Sequence, residues 1–145
     1  MFKKVLILIA LDQITKLIIW PRDFFMPPHA PLLGLITIHP VKNFGLVFSL
    51  NFGPAANLAV LILAGGFFVY LYFRSRSWHS PARQIMFALI FAGAISNLFD
   101  RLSLGYVRDF IDIRLGLVFN LADLMLVAGL ILMLIQENKS ARIIV

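Results

Sequence analysis

Two aspartates, Asp109 and Asp123, have the residue type and placement for acid–base chemistry. Asp109 lies just beyond the end of a third apolar stretch, and Asp123 lies at the start of a fourth. Because two antiparallel helices joined by a short connection place these positions at the same depth, we expect the two side chains to share a site. Paired carboxylates cannot both ionise readily, so they hold one proton between them. One can then act as base on a water while the other polarises a carbonyl group.

The second of these acids also suits a purely structural interpretation. Asn120 stands three residues before Asp123, which is the spacing of a helix N-cap. In the catalytic interpretation, the positive end of the fourth helix dipole favours the charge on Asp123. Asp109 is then expected to hold the shared proton.

Further polar residues lie inside apolar stretches, where ionisable groups are costly and face protein or water. Asp12, Thr15 and Lys16 occupy positions i, i+3 and i+4, and so share one face of a first helix. They fit an internal ion pair, a functional role, or both. The same spacing recurs in a third helix at Asn97, Asp100 and Arg101, where Arg101 could instead reach the lipid headgroups.

Other catalytic schemes lack their residues in this sequence. There is no cysteine, which excludes a thiol nucleophile, a disulfide and a cysteine-based metal site. The sequence contains neither a His-Glu-x-x-His motif nor a Gly-x-Ser-x-Gly elbow. We therefore expect no metal and no cofactor.

The elements that must position these residues are apolar helices. The chain has 145 residues, of which 61% are hydrophobic and 14% charged, so we expect one domain in a lipid bilayer. Four stretches approach the length that spans a membrane, at about 2–20, 55–73, 83–99 and 119–136. The extracytoplasmic loop at about 21–53 contains β-favouring segments and turn signals, which predict a small sheet on the membrane surface. The predicted fold is an all-α four-transmembrane-helix bundle with a β-rich loop region.

The basic residues predict the orientation. The net charge is +6, and the basic residues lie at the ends of apolar stretches rather than on one polar face. This distribution argues against nucleic acid as a partner. Seven lysines and arginines fall on one side of the predicted bundle: Lys3, Lys4, Arg74, Arg76, Arg83, Lys139 and Arg142. Five fall on the other: Arg22, Lys42, Arg101, Arg108 and Arg114. The excess predicts that both termini are cytoplasmic.

Four segments, in this order, resemble the lipoprotein signal peptidases (the signal peptidase II family) over nearly the whole chain. They are DQITK at 12–16, NFG at 43–45 with FS at 48–49, GAISNLFDR at 93–101 continuing to GYVRDF at 105–110, and FNLAD at 119–123. Members cleave diacylglyceryl-modified prolipoproteins just before the lipid-bearing cysteine, without a metal. The resemblance implies a bacterial cytoplasmic (inner) membrane enzyme whose active site lies near the outer leaflet. It also implies a β-cradle in the outer loop that helps to hold the substrate.

The resemblance assigns roles residue by residue. The catalytic acids would be Asp109 and Asp123, and the supporting residues Asp12, Lys16, Asn43, Asn97, Arg101 and Asn120. The implied partners are a lipid-modified prolipoprotein and membrane lipid. The sequence departs from the family pattern at several positions, which bears on substrate preference and efficiency. Lys42 replaces a common His, Leu46-Val47 a small pair, Ser96 a Gly, and Arg108 an apolar residue.

Two other functions fit parts of the pattern. A small proton-relay or transporter-like protein would also hold acids within the membrane, but it needs polar residues through the full depth. The inner halves of the second, third and fourth stretches are almost entirely apolar. A catalytically inactive, substrate-binding homologue would keep the fold without the reaction.

Overall fold

A computed structural model describes residues 1–20, 31–32, 36–45, 52–74 and 80–142. Its helices are α1 (Phe2–Ile19), α2 (Pro54–Arg74), α3 (Pro81–Leu104) and α4 (Leu121–Arg142). Its strands are β1 (Pro31–Leu32), β2 (Ile36–Asn43), β3 (Val107–Asp112) and β4 (Val118–Phe119). The predicted segment at 48–49 and most of residues 21–35 lie outside the described residues.

The protein is mostly helical and carries a small antiparallel sheet in the order β1-β2-β3-β4. A sheet in the connection between α1 and α2 is confirmed, but it is larger than the sequence predicted. The connection between α3 and α4, which we expected to be a short loop, supplies β3 and β4. The prediction of an all-α class was therefore too narrow, because β3 gains its partner from the distant β2 and β4 then pairs with β3.

The helix boundaries differ from the predicted ones at functional positions. α3 continues to Leu104, five residues beyond the predicted end, so Asp100 and Arg101 lie in the helix body. It ends at Gly105, whose φ of 82° is a left-handed conformation that glycine adopts without strain. α4 starts at Leu121 and Phe119 belongs to β4, which places Asp123 in the first turn of the helix.

The helices expose apolar side chains and bury charged ones. On α1, Ile7 and Leu17 are 60% and 62% exposed, whereas Asp12 and Lys16 are 0% exposed. A soluble domain has the opposite distribution, whereas lipid is a solvent for such a surface. Among the described helices, α2 and α3 are long and apolar enough to cross a membrane, and the apolar part of α4 is shorter. The helices therefore fit a membrane protein, and the four-span bundle stays a prediction.

The core lies around α3, which packs against α1, α2 and α4. Two glycines allow the closest of these contacts. A Cβ at Gly93 would meet the Ala122 backbone oxygen, and a Cβ at Gly129 would lie 2.6 Å from Ile90 Cγ1. Small residues at such positions let helix backbones approach in a bilayer. The buried residues of α3 between 86 and 92 are apolar: Met86, Phe87, Ala88, Ile90 and Ala92.

Candidate active site

Asp109 reaches the site from the middle of the sheet. It lies on β3 opposite Val41 of β2, and only 2% of its surface is exposed. Its Oδ2 accepts a hydrogen bond from Asn43 Nδ2 at 2.9 Å, and its Oδ1 accepts one from Asn120 Nδ2 at 2.6 Å. Two amide donors from separate elements therefore fix the carboxyl group.

Asp123 reaches the same region from the first turn of α4. Its Oδ2 accepts a hydrogen bond from the Asn120 backbone N–H at 3.1 Å, and its Oδ1 accepts one from Asn97 Nδ2 at 2.8 Å. The Asp123 N–H in turn donates to Asn120 Oδ1 at 3.0 Å. The helix-cap interpretation is thus confirmed, and the same contacts point Asp123 at its neighbours on α3.

Asn120 is bonded to both acids. The same side-chain nitrogen that donates to Asp109 also donates to Asn97 Oδ1 at 3.1 Å, and Asn120 is 0% exposed. Asn97 then links onward to Asp123. The two carboxyl groups therefore belong to one hydrogen-bond network, as the antiparallel placement of their elements predicted.

The surroundings favour a proton on Asp109. The pKa of its carboxyl is raised to about 6, chiefly by burial and then by the nearby negative charge of Asp123. The hydrogen bonds from Asn43 and Asn120 oppose this shift, because they stabilise the ionised carboxylate. Asp109 can therefore gain or lose a proton near neutral pH, as an acid–base group must.

Lys16 supports the site from α1. Its Nζ lies 2.7 Å from Asp12 Oδ2 and 3.2 Å from Asp100 Oδ2, and it donates to Asn97 Oδ1 at 3.0 Å. The predicted ion pair on α1 is therefore present. The Lys16 ammonium also orients the Asn97 amide, whose Nδ2 donates to Asp123.

Asp12 ties α1 to the start of α4. Its Oδ1 accepts the Ala122 backbone N–H at 2.8 Å, and its Oδ2 accepts the Ser96 hydroxyl at 2.6 Å. Ala122 immediately precedes Asp123 in the chain. An acid on the first helix thus satisfies a backbone donor that a helix N-terminus leaves free.

Arg101 connects α3 to the end of β2. Its Nη2 donates to the Gly45 carbonyl at 2.6 Å, and its Nη1 lies 3.4 Å from the Asn97 carbonyl. Asn43 Oδ1 accepts the Gly45 N–H at 2.8 Å, so Asn43 is held in a local turn while it contacts Asp109. The protein contact at Gly45 supports a positioning role for Arg101, beside the headgroup contact considered from the sequence.

A cavity of about 350 Å³ opens beside Asp109. Its lining comes from β2 and the residues just after it, from Asp109 of β3, and from β4 with the turn before it: Val41, Lys42, Asn43, Phe44, Gly45, Asp109, Gly116 and Val118. Tyr106 stacks on Trp20 at 5.8 Å and lies near Phe44 at 5.7 Å. Aromatic residues grouped at one end of a helical bundle are typical of a membrane–water interface.

The eight residues proposed from the sequence lie in one connected network. They are Asp12, Lys16, Asn43, Asn97, Arg101, Asp109, Asn120 and Asp123. The sequence reasoning missed Gln13 and left Ser96 and Arg108 without a role. The Gln13 amide donates to Ser96 Oγ at 2.9 Å and to Asp100 Oδ1 at 3.0 Å. A polar side chain next to Asp12, within the largely apolar part of α1, was the available signal.

A metal could not be assigned to this network. Among residues 1–20, 36–45, 52–74 and 80–142, no three His, Asp or Glu side chains form a group that could hold a metal ion. The expectation of a metal-free site stays a prediction.

The fold and the site together define a class of protein: a mostly helical protein that fits a membrane and links two carboxyl groups, Asp109 and Asp123, through shared amide partners. The chain resembles a bacterial membrane enzyme whose structure was determined at 2.3 Å by the in meso method. The TM-score is 0.79 at 26% identity, covering 97% of this chain and 88% of that one. A second such enzyme, at 1.9 Å, matches with a TM-score of 0.75 at 27% identity, over 93% and 90% of the two chains.

Sequence comparison gives the family. The family model for signal peptidase (SPase) II matches residues 4–138. The lipoprotein signal peptidase of Caldicellulosiruptor bescii is 39% identical over 126 residues, which cover 86% of this chain and 81% of that protein. The lipoprotein signal peptidase of Moorella thermoacetica is 36% identical, over 88% of this chain and 85% of that protein. The chain belongs to the signal peptidase II family.

Proposed function

We propose that this protein is an intramembrane aspartic endopeptidase. It removes the signal peptide from diacylglyceryl-modified prolipoproteins by cleaving before the lipidated cysteine. The observation that carries the proposal is that Asn120 is hydrogen-bonded to both Asp109 and Asp123. Family membership and the relatives' name, lipoprotein signal peptidase, support the reaction class and the substrate.

The reaction follows from one proton shared by two acids. Asp123, at the positive end of the α4 dipole, is the charged partner and takes a proton from a water molecule. The water oxygen attacks the scissile carbonyl carbon, while protonated Asp109 donates a hydrogen bond to the carbonyl oxygen. A proton then passes from the acid pair to the leaving nitrogen, and the C–N bond breaks. During these reaction steps the two carboxyl groups are held in position by Asn43, Asn97 and Asn120.

The supporting residues keep the pair in place by linking separate elements. Asp12 and Lys16 join α1 to α4 and α3, and Arg101 joins α3 to the end of β2. Such links restrict the carboxyl groups to one geometry, and misplacement by about 1 Å can cost roughly 100-fold in rate.

The proposed placement in the membrane follows from the distribution of apolar and polar residues. All four helices span the bacterial inner membrane, both termini are cytoplasmic, and the site lies near the outer leaflet. The apolar outer faces of the helices support this arrangement, as does the grouping of the sheet with Trp20 and Tyr106. A substrate whose acyl chains remain in the outer leaflet would present its scissile bond at this depth.

The test is cleavage of a diacylglyceryl-modified prolipoprotein by the purified protein in detergent. The parent should cleave before the modified cysteine, whereas Asp109→Asn and Asp123→Asn should fold without cleaving. Asp112→Asn is a matched control, because Asp112 lies on the same strand, where its carboxylate accepts the Arg114 backbone N–H at 2.7 Å and lies 3.6 Å from His39 Nδ1. A folded parent that leaves several such substrates intact would overturn the proposal.

The same experiment decides between this function and its rivals. An inactive binding homologue would retain the substrate without cleaving it. A proton relay is less consistent with the structure, because the buried residues of α3 from 86 to 92 are apolar. Proton flux in vesicles that Asp109→Asn and Asp123→Asn abolish, in a parent that cleaves no prolipoprotein, would favour the relay instead.

A further inference from the structure

Arg108 is a buried cation next to Asp109, and the sequence analysis identified it only as a departure from the family pattern. It is 6% exposed and lies on β3, one residue before Asp109. Successive side chains of a strand point to opposite faces of the sheet. The Arg108 side chain therefore extends away from the cavity side of Asp109, toward α3 and α1.

Arg108 is bound to Asp100 by three contacts. Its Nη2 lies 2.6 Å from Asp100 Oδ1, its Nε lies 3.2 Å from Oδ2, and its backbone N–H donates to Oδ2 at 3.1 Å. The Nη2 also donates to Gln13 Oε1 at 2.7 Å. Side chain and backbone of one residue are thus attached to a fully buried carboxylate on α3, which fixes the strand segment that carries Asp109.

The buried cluster is electrically balanced only because Arg108 is present. Its acids are Asp12 and Asp100, and its bases are Lys16 and Arg108, joined by contacts of 2.6 to 3.2 Å. Without Arg108, two buried carboxylates would share the single ammonium of Lys16. An uncompensated charge in a low-dielectric interior is strongly unfavourable.

The consequence reaches the proposed acid pair through Lys16. Lys16 donates to Asn97, whose amide donates to Asp123 and accepts from Asn120, and Asn120 donates to Asp109. A second carboxylate that competes for Lys16 would draw the ammonium away from Asn97. The amides of Asn97 and Asn120 would then no longer hold the carboxyl groups of Asp123 and Asp109 in a fixed orientation.

We propose that Arg108 is a positioning residue for the acid pair. It neutralises Asp100, so that the Lys16 ammonium keeps its contacts with Asp12 and Asn97. This inference rests on the proposed function, in which Asp109 and Asp123 carry the reaction. Arg108 itself contacts Asp100 and Gln13, and it is not among the residues that line the cavity beside Asp109.

The test compares three variants with the parent by steady-state cleavage of a diacylglyceryl prolipoprotein across pH. Arg108→Met should lower kcat by about 10- to 100-fold, with KM changed less than about 2-fold, since positioning and not binding is lost. The basic limb of its pH profile should move to higher pH, because the added net negative charge favours protonated acids. Arg114→Met removes an exposed cation from the same connection and should match the parent.

The charge-balanced variant carries the decisive comparison. Arg108→Met combined with Asp100→Asn removes one charge of each sign, so it should return the pH limb to the parent's position and raise kcat above that of Arg108→Met. A merely structural arginine would make the double variant the worse of the two. Parent-like kcat and pH profile in Arg108→Met would overturn the proposal, as would a folded double variant no more active than the single one. If Arg108→Met does not fold, we expect the double variant to fold and to cleave. A double variant that does not fold, or that folds without cleaving, overturns the proposal.

An activity-independent measurement separates this inference from the proposed function. Infrared absorption of the protonated Asp109 carboxyl, assigned by its loss in Asp109→Asn, can be followed with pH in the parent and the variants. The pH at which half of this absorption is lost should be higher in Arg108→Met than in the parent. In the double variant it should equal the parent's value, even if no substrate is cleaved. An unchanged midpoint contradicts the role of Arg108, whereas an inert parent with the expected midpoint shifts contradicts only the peptidase function.

Discussion

Asn120 and Asp123 exchange two reciprocal hydrogen bonds at the start of α4. The Asn120 N–H donates to Asp123 Oδ2 at 3.1 Å, and the Asp123 N–H donates to Asn120 Oδ1 at 3.0 Å. This is the geometry of a capping box, in which each side chain satisfies a backbone donor of the first helical turn. Because the same two residues contact Asp109 and Asn97, the cap that starts the helix also orients the proposed acids.

Substitution at Asn120 can separate these two roles. Asn120→Ala removes both the cap and the amide donor to Asp109, so we expect a stability loss of about 1–3 kcal/mol and loss of cleavage. Asn120→Ser restores a good N-cap but has no amide that reaches Asp109 and Asn97 together. It should recover much of the stability and little of the activity.

Thermal unfolding in detergent and prolipoprotein cleavage, measured on both variants, check this prediction. Stability and activity that recover together in Asn120→Ser would show that Asn120 serves only as a cap. Activity that stays low in a stable Asn120→Ser protein would support the bridging role.

The pH dependence of cleavage reports on Asp109. Its pKa is raised to about 6, chiefly by burial and then by the charge of Asp123. If Asp109 supplies the shared proton, the competent free enzyme is the protonated form, which is depleted as the pH rises through about 6. We therefore expect kcat/KM to fall on the basic side with a midpoint near pH 6, because kcat/KM reports the ionisation of free enzyme.

The opposite sign would reassign the two acids. A kcat/KM that rises through the same pH range would mean that Asp109 works ionised, as the base. Asp109→Glu should move the midpoint, since a longer side chain changes both burial and the distance to Asp123. An unchanged profile in this variant would exclude Asp109 as the titrating group.

The local part of the site could be predicted from the sequence, and the long-range part could not. The i, i+4 spacing of Asp12 and Lys16 determines that they meet on one helix face, and they do. The pairing of Val41 with Asp109 depends on two strands far apart in the chain, one of which was not predicted. The contact of Arg108 with Asp100 arises from the turn at Gly105, which returns β3 along the end of α3. No short-range pattern contains that geometry.

Lys16 should be essential for folding as well as for the site. Its side chain is 0% exposed and lies within ion-pair distance of Asp12 and Asp100. Lys16→Met leaves these two carboxylates with Arg108 as their remaining cation, so we expect a loss of about 3–5 kcal/mol in the free energy of unfolding. Lys16→Met combined with Asp12→Asn restores the charge balance and should regain part of that loss.

Chemical or thermal unfolding in detergent provides the measurement, with Lys4→Met as the matched control. Lys4 lies on the same helix but is exposed, so its removal should change stability by less than about 0.5 kcal/mol. Equal effects of Lys16→Met and Lys4→Met would contradict a buried ion-pair role for Lys16.

Gly93 sets the distance between α3 and the start of α4. A Cβ at this position would meet the Ala122 backbone oxygen and would lie 2.8 Å from Leu126 Cγ. Because Ala122 directly precedes Asp123, Gly93→Ala should displace the proposed acid as well as strain the helix contact. We expect a stability loss of about 1–3 kcal/mol and a fall in kcat of roughly 100-fold.

Two glycine controls distinguish these effects. Gly65 on α2 has open space where its Cβ would lie, so Gly65→Ala should be neutral or slightly stabilising, because alanine favours helix over glycine by about 1 kcal/mol. Gly129→Ala would also crowd α3, with its Cβ 2.6 Å from Ile90 Cγ1. It lies about 9 Å along α4 from Asp123, at a rise of about 1.5 Å per residue. It should therefore lower stability as Gly93→Ala does while sparing kcat. An equal loss of kcat in the two crowded variants would mean that helix packing in general, and not the position of Asp123, limits the reaction.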